Sequence, residues 1–287
     1  MLPKFDYFGP ESLQETFSLL DKYGKDARPL AGGTDLLVSL RGGQEPAKYL
    51  IDIKRVKELQ NLSFNDKSGL TVGAGVTLNR LIRHDAVSKN YPILREAAST
   101  IGDFQVRNRA TLVGNICNAS PAADTAPALL VLNATVNIST QDGTKKVPIH
   151  QFFTGVKKNI LAGNELVTSI DLPIPPEKSI SAYMKARRTM GEDLAVVGVG
   201  GLAAPTGGSG KEIRLAYASV APTPVRAFEA EKIFRKDRPV DELVDEAIPV
   251  VMKAVSPITD VRAGKEYRVN LVKVLTRRLV KQLWEAS

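Results

Sequence analysis

The sequence predicts an α+β protein of two domains, and three observations carry that reading. The first half interleaves short apolar runs with helical stretches of three-and-four periodicity, separated by glycine turns. Pro173, Pro175 and Pro176, followed by polar Glu177, Lys178 and Ser179, then break the chain and mark the domain boundary. Beyond the break, three β-like runs precede three helical runs, the order expected of a small sheet backed by helices.

Taken in order, Leu13, Phe17 and Leu20 share one helical face and Gly24 stops that helix. A strand over 28–31 runs into the turn at Gly32 and Gly33. Thr34 and Asp35, both good N-cap residues, then open a short helix through Leu36, Leu37 and Leu40 that Gly42 and Gly43 end. A buried strand over 48–53 follows, then one at 70–72, a Gly73 and Gly75 turn, and helices through Leu78, Leu81 and Ile82 and over 93–100. Between 135 and 172 the pattern favours strands: Val136 and Ile138 alternate, a Gln141-Asp142-Gly143 turn follows, then Val147 and Ile149, and finally 166–172. The second half places strands at 181–186, 195–204 and 213–220, and helices around 226–235, 240–255 and 271–284. No repeat of fixed period and no low-complexity segment stands out.

Composition narrows the function classes. The 287 residues are 43% hydrophobic, 24% charged and 6% aromatic, the profile of an ordinary globular protein with room for two domains. No apolar run approaches the ~20 residues that cross a bilayer, and the first nine residues carry no signal-peptide core, so a cytoplasmic protein is expected. One cysteine, Cys117, excludes an intramolecular disulfide. With only His84 and His150 beside it, a protein-built zinc site or iron–sulfur cluster is not expected either. Four Asn-x-Ser/Thr sequons, at Asn61, Asn118, Asn133 and Asn137, mean nothing without a secretory route. The formal charge of +8 suits nucleic acid, an anionic cofactor or an acidic partner, and the sign alone does not choose. The densest basic pairs, Lys145-Lys146, Lys157-Lys158, Arg187-Arg188 and Arg277-Arg278, each read most simply as solvated faces.

Two apparent nucleotide motifs are decoys. Gly198, Gly200 and Ala203 have the spacing of a dinucleotide fingerprint, but Pro205, Gly207 and Gly208 forbid the helix that it must open. TGGSGKE, ending in Gly210, Lys211 and Glu212, looks like the tail of a phosphate loop, yet Pro205 stands at its first glycine position and Glu212 replaces the magnesium-binding Ser or Thr. A hairpin turn is the better reading. Two other turns are stronger: LAGGTDL at 30–36 and TLVGNICNASP at 111–121. Each places small residues where backbone amides point outward, and such amides cradle a diphosphate without a cationic side chain. Thr34, Asn115 and Ser120 offer further donors, and Asp124 is able to accept from sugar or adenine. Either turn alone is also ordinary loop structure; together they point to a nucleotide.

At this point the residues carry a resemblance spanning nearly the whole chain. AGGTDLL at 31–37, VRNRATLVGNICNASPAADTAPALL at 106–130, and PVRA at 224–227 with DVRAGKEYR at 260–268 occur in order. The sequence resembles the flavin-binding medium subunits of the molybdenum hydroxylases, the group of carbon monoxide dehydrogenase and xanthine dehydrogenase. The resemblance implies a two-part FAD-binding domain of the vanillyl-alcohol oxidase type over 1–176, with subdomains of about 1–57 and 58–176. A small C-terminal domain of a three-stranded antiparallel sheet with helices would fill 177–287. Carried over residue by residue, it places Arg28, Pro29, Leu30, Ala31, Gly32, Gly33, Thr34, Asp35 and Leu36 around the FAD diphosphate. Thr111, Gly114, Asn115, Ser120 and Asp124 would hold the rest of the cofactor, with Ile101 and Gly102 on the approach to the flavin ring. Leu166 or Val167 would line the adenine or ring pocket, Lys185 matches a flavin-contacting lysine, and Asp193 an acidic loop close to the flavin. On the sequence alone Lys185 is equally a solvent-facing lysine and Asp193 an ordinary surface turn.

Departures from the family pattern also inform. Val113 stands where many relatives have a second glycine, and neither histidine lies near the glycine turns, so FAD is expected to be non-covalent. One cysteine cannot ligate the extra iron–sulfur cluster of the hydroxybenzoyl-CoA reductase branch. The resemblance implies an electron-transfer subunit with no catalytic acid or base of its own. A molybdenum-containing large subunit would oxidise the substrate, a small subunit with 2Fe-2S clusters would relay electrons, and this FAD would pass them to an acceptor. A heterotrimer that pairs into a dimer is expected by analogy. Two other classes stay open: a stand-alone FAD oxidase, with Tyr183, Arg187 and Arg188 as its only candidates, and a basic nucleic-acid module, disfavoured because no aromatics interleave the basic clusters.

Overall fold

The computed structural model describes residues 2–44, 47–189, 191–208 and 210–287. Its first layer is a small parallel sheet: β1 (Asp6–Phe8), α1 (Leu13–Tyr23), β2 (Ala27–Leu30), α2 (Leu36–Arg41) and β3 (Tyr49–Asp52), in strand order β1-β3-β2. Local chemistry sets its limits. Ser12 caps α1 by accepting the Glu15 amide, and Gly24 ends it with a positive φ of 49° that favours glycine, its amide donating to the Leu20 carbonyl. Tyr49 of the central strand stacks on Tyr23 at 3.9 Å between ring centroids, pinning α1 to the sheet.

The second layer is an antiparallel sheet clothed in short helices. It runs β4 (Leu62–Asn65), β5 (Gly69–Gly73), α3 (Leu78–Ile82), α4 (Asp85–Asn90), α5 (Pro92–Ser99), α6 (Phe104–Arg107), α7 (Leu112–Cys117) and α8 (Thr125–Val131). The chain continues through β6 (Thr135–Thr140), β7 (Gly143–Pro148), the hairpin β8 (Phe153–Gly155) and β9 (Lys158–Asn159), and β10 (Leu166–Leu172). Strand order is β4-β5-β10-β6-β7. Of these, β5, α3, α5, β6, β7 and β10 fall where hydrophobic period places them, while the short β4, α4, β8 and β9 were not expected from the sequence. The stretch 111–121, expected to be turn, instead holds α7, and α6 and α8 flank it where no element was expected. The reason is physical: α7 is six residues with Gly114 inside, and every residue of α8 is buried, so no polar face writes a helical period into the sequence.

The C-terminal region contains β11 (Ile180–Ala186), β12 (Val197–Pro205), β13 (Lys211–Ala218), β14 (Val225–Arg226), α9 (Phe228–Glu231), α10 (Val240–Ala254) and α11 (Lys265–Ala286). The three expected strands pair antiparallel, and a fourth, two-residue strand joins the edge, so the sheet has four strands and not three. Both decoys fall in or beside this sheet: the glycine pattern lies along β12, and the phosphate-loop look-alike falls between β12 and the start of β13, its Ser209 outside the described residues. The glycines there serve close packing. A side chain at Gly200 would meet Pro127 of α8 at 3.0 Å, and one at Gly201 would meet Leu283 of α11 at 2.7 Å. Thus β12 is a thin wall with α8 on one face and the C-terminal helices on the other.

Candidate cofactor-binding site

The first glycine strip leaves β2, turns at Gly33 with φ 77°, and enters α2. Gly32 lies so close to the second strip that an added Cβ would sit 2.2 Å from the carbonyl oxygen of Arg109. The two turns, about eighty residues apart in sequence, are therefore in backbone contact. Among the described residues, the amides of Gly32, Gly33, Thr34 and Asp35 donate to no acceptor in the chain. Asp35 stands at the N-cap of α2 without a side-chain cap bond. Crowding in the cleft pushes its carboxyl above the ordinary range and nearby Lys157 pulls it back, although the residue as a whole is exposed.

The second strip is anchored by Thr111. Its hydroxyl accepts the Gly114 amide at 2.9 Å as the N-cap of α7, and its backbone bridges Thr77. The Gly114 amide is therefore engaged inside the chain. Asn115 accepts from the Thr125 hydroxyl at 2.6 Å, and Ser120 accepts the Ala122 amide at 3.2 Å. The hairpin tip between β8 and β9 closes the cleft: the Lys157 amide donates to the Ala119 carbonyl at 3.0 Å while its ammonium faces Asn118 and Asp35.

A third group lies where the C-terminal sheet meets the helices. Asp124, at the N-cap of α8, accepts from the Lys185 ammonium at 2.9 Å and from the Tyr183 hydroxyl at 2.7 Å. Both charged side chains are buried, Lys185 at 4% and Asp124 at 6% exposure, so the solvent-facing reading of Lys185 does not hold. Burial pushes Asp124 up, against the pull of Lys185, Tyr183 and Arg187. Burial likewise pushes the Tyr183 phenol well up, with Asp124 adding to it. The Lys185 ammonium also donates to the Thr100 carbonyl at 3.2 Å, next to Ile101 and Gly102.

Arg107 holds that same turn from the other side. Its Nη1 donates to the carbonyls of Ile101 and Gly102, each at 2.9 Å, and of Ser99 at 3.3 Å. Sequence reasoning did not single out Arg107, because an arginine in a basic run reads as solvated; the turn it organises is visible only in three dimensions. Leu166 and Val167 lie buried in β10 at a register shift. Asp193 accepts three donors from Arg188, which hold its carboxyl well below the usual range. Arg28, Pro29 and Leu30 form β2, Ala31 opens the turn, and Leu36 begins α2.

The C-terminal motifs serve as braces. Arg226 of PVRA grips Glu231 with Nε at 2.7 Å and Nη2 at 2.9 Å, and reaches across to the Leu130 carbonyl at 3.1 Å. Arg214 takes the Val131 carbonyl at 3.0 Å. Two cations thus meet the carbonyl end of α8, where the helix dipole favours positive charge. Arg268 is 1% exposed and donates to the carbonyls of Val196 and Ser219 at 2.7 Å and to Asp260 at 2.6 Å.

Among the described residues no group of three His, Cys, Asp or Glu is placed to hold a metal, and no helix is long and apolar enough to cross a membrane. The unclaimed amides of the first turn, with a second strip in backbone contact, suit a diphosphate. Residues 3–175 match the family described as the FAD binding domain in molybdopterin dehydrogenase. The chain belongs to this family. Residues 181–283 match the CO dehydrogenase flavoprotein C-terminal domain. The chain is 36% identical to the glyceraldehyde dehydrogenase medium chain of Sulfolobus acidocaldarius, over 98% of this chain and 99% of that protein. It is 31% identical to the xanthine dehydrogenase FAD-binding subunit of Escherichia coli, over 98% of this chain and 96% of that one. Its fold superposes on carbon monoxide dehydrogenase from Hydrogenophaga pseudoflava with a TM-score of 0.95 and 30% identity, covering 100% of this chain and 99% of that one. These relatives are medium or FAD-binding chains of dehydrogenases, and this chain is a flavoprotein subunit of that oxidoreductase family.

Proposed function

We propose that this chain holds one non-covalent FAD between its two glycine strips and serves as the electron-output subunit of a molybdenum hydroxylase. The observation that carries the reading is the backbone contact between the first turn, whose amides are unclaimed, and the second strip, with the buried Lys185 held by Asp124 just beyond that strip. The amides of Gly32 to Asp35, with the turn set by Arg28, Pro29, Leu30, Ala31 and Leu36, would hold the diphosphate. Thr111, Gly114, Asn115 and Ser120 would shape the second wall, with Leu166 or Val167 behind it. Ile101 and Gly102, fixed by Arg107, and Asp193, fixed by Arg188, would border the flavin. Asp124 has its oxygens committed to Tyr183 and Lys185, so its first task is to keep a cation in a dry place. Lys185 there supplies fixed positive charge beside the Thr100 carbonyl, which favours negative charge arriving nearby.

When bound, FAD supplies the capacity to accept electrons singly and release them in pairs. The partners are a molybdenum-containing large subunit and a small 2Fe-2S subunit, in a dimer of heterotrimers in the cytoplasm, with the domain division falling at 176/177. The stand-alone oxidase reading has less support: Tyr183 is bound to Asp124, Arg188 to Asp193, and Arg187 to the Gly191 carbonyl. The test is affinity purification of the tagged chain from its own cells, with metal analysis and substrate-dependent bleaching of the flavin band. Two accompanying chains, one with molybdenum and one with 2Fe-2S iron, are expected. A solitary flavoprotein that oxidises a small molecule unaided would overturn it.

A further inference from the structure

A cavity of about 370 Å³ opens between α3 and the 104–108 segment, apart from both glycine strips. It is lined by Leu62, Thr77, Asn79, Arg80, Arg83, His84 and Asn108, and no carboxylate is among them. Arg80 on α3 and Arg83 at its C-cap are three residues apart and share a face. Each guanidinium is steered without being neutralised. Arg80 Nη1 donates to the Gln60 carbonyl at 2.7 Å, and Arg83 lies 5.4 Å over the Phe104 ring. Among the described residues neither is ion-paired. Asn79 is 5% exposed and spends its amide on the Phe104 carbonyl and on Asn108 Oδ1, at 2.9 and 2.7 Å, so the Asn108 amide is turned away from that bond. The imidazole Nδ1 of His84 is buried without a hydrogen-bond partner.

Two guanidinium groups lining one cavity without a carboxylate partner, with neutral donors around them, form a wall that lacks only an anion. Planar guanidinium forks match phosphate oxygens in pairs, and a phosphate dianion answers two cations where a single carboxylate answers one. The volume is at the lower end of the range for small-molecule sites. We propose that this cavity is a second ligand site, for a small phosphate-bearing molecule gripped by Arg80 and Arg83. The site shares a wall with the cofactor cleft: Thr77 bridges Thr111, the Leu78 amide donates to the Ala110 carbonyl at 2.8 Å, and Asn108 precedes the Arg109 carbonyl that abuts Gly32.

The test is isothermal titration of the full chain, with and without FAD, in a phosphate-free buffer. Inorganic phosphate probes the free anion, and ADP, added to the FAD-saturated chain only, probes a nucleotide source. Phosphate is expected to bind at one site with the same affinity in both states, and ADP to bind tighter than phosphate if the source is a nucleotide. The Arg80→Gln/Arg83→Gln chain should lose at least tenfold in phosphate affinity, and Arg80→Lys/Arg83→Lys should regain part of it, since charge returns without the fork. Both arginines are exposed, so circular dichroism should show each variant folded. Equal phosphate binding by wild type and the Gln variant, no saturable binding by wild type, or abolition of phosphate binding by FAD would overturn the proposal.

Discussion

Replacing Lys185 with Met would break the buried pair that ties the C-terminal sheet to α8. Lys185 and Asp124 are 2.9 Å apart, with side chains 4% and 6% exposed, so water is not at hand to screen the carboxylate left behind. Removing one partner of such a pair costs about 3–5 kcal/mol. At about 1.4 kcal/mol per power of ten, the unfolding equilibrium should move by roughly two to four decades. Asp124→Asn alone leaves the ammonium on the Thr100 carbonyl and should cost less. The double variant, with neither charge, should recover about 0.5–3 kcal/mol relative to the sum of the singles. Urea unfolding of the FAD-free chain measures all four corners, and FAD titration of the same proteins separates cofactor affinity from stability. If the two single effects add within about 0.5 kcal/mol, the pair is not coupled and its role as the inter-layer tie is wrong.

Three further outcomes follow from the same geometry. Gly32→Ala drives a Cβ to 2.2 Å from the Arg109 carbonyl oxygen, so one strip must retreat. A strain of about 1–3 kcal/mol should lower FAD affinity roughly 5- to 150-fold in a fluorescence titration, and unchanged affinity would show the contact to be irrelevant to the cleft. At Asp260 burial opposes ionisation, but the Arg262 amide and the Arg268 and Arg262 guanidinium groups outweigh it and hold the carboxyl well below the usual range. Its stabilisation is fully present above the unfolded value of about 3.9 and fades as pH falls toward the folded one, so Asp260→Asn should flatten stability against pH below about 4. A parallel acid profile for variant and wild type would contradict this. Arg226→Ala removes the bidentate hold on Glu231 and the donor to Leu130, at about 1.5–3 kcal/mol per charged bond, and calorimetry should show the melt splitting into two transitions. A single unshifted transition would deny the brace.

What the sequence made visible was whatever lies in local period or turn chemistry. Gly24, Gly33 and the proline cluster punctuate the chain where backbone geometry demands them, and the long helix α10 writes its face plainly, while the first turns of α11, from Lys265, were not expected before 271. The helix α8 stayed hidden because all its residues are buried, and β14 because two residues have no period. The site was legible at its glycines and invisible at its side-chain pairs. Lys185 meets Asp124 from 61 positions away, and Arg107 reaches carbonyls whose role depends on a turn it helps to make. The same limit explains PVRA and DVRAGKEYR, whose arginines could be read as surface charge until their buried acceptors were seen.

The most direct test of the central claim is quantification of the flavin released on denaturing the purified chain, after incubation with FAD and again after co-expression with partner subunits. The account predicts close to one FAD per chain, released without covalent attachment, and its loss in Gly33→Trp, where φ 77° and contacts at 3.0 and 3.2 Å to Leu30 and Leu37 leave no room for a side chain. A well-folded chain that binds no FAD alone or in the complex would contradict it.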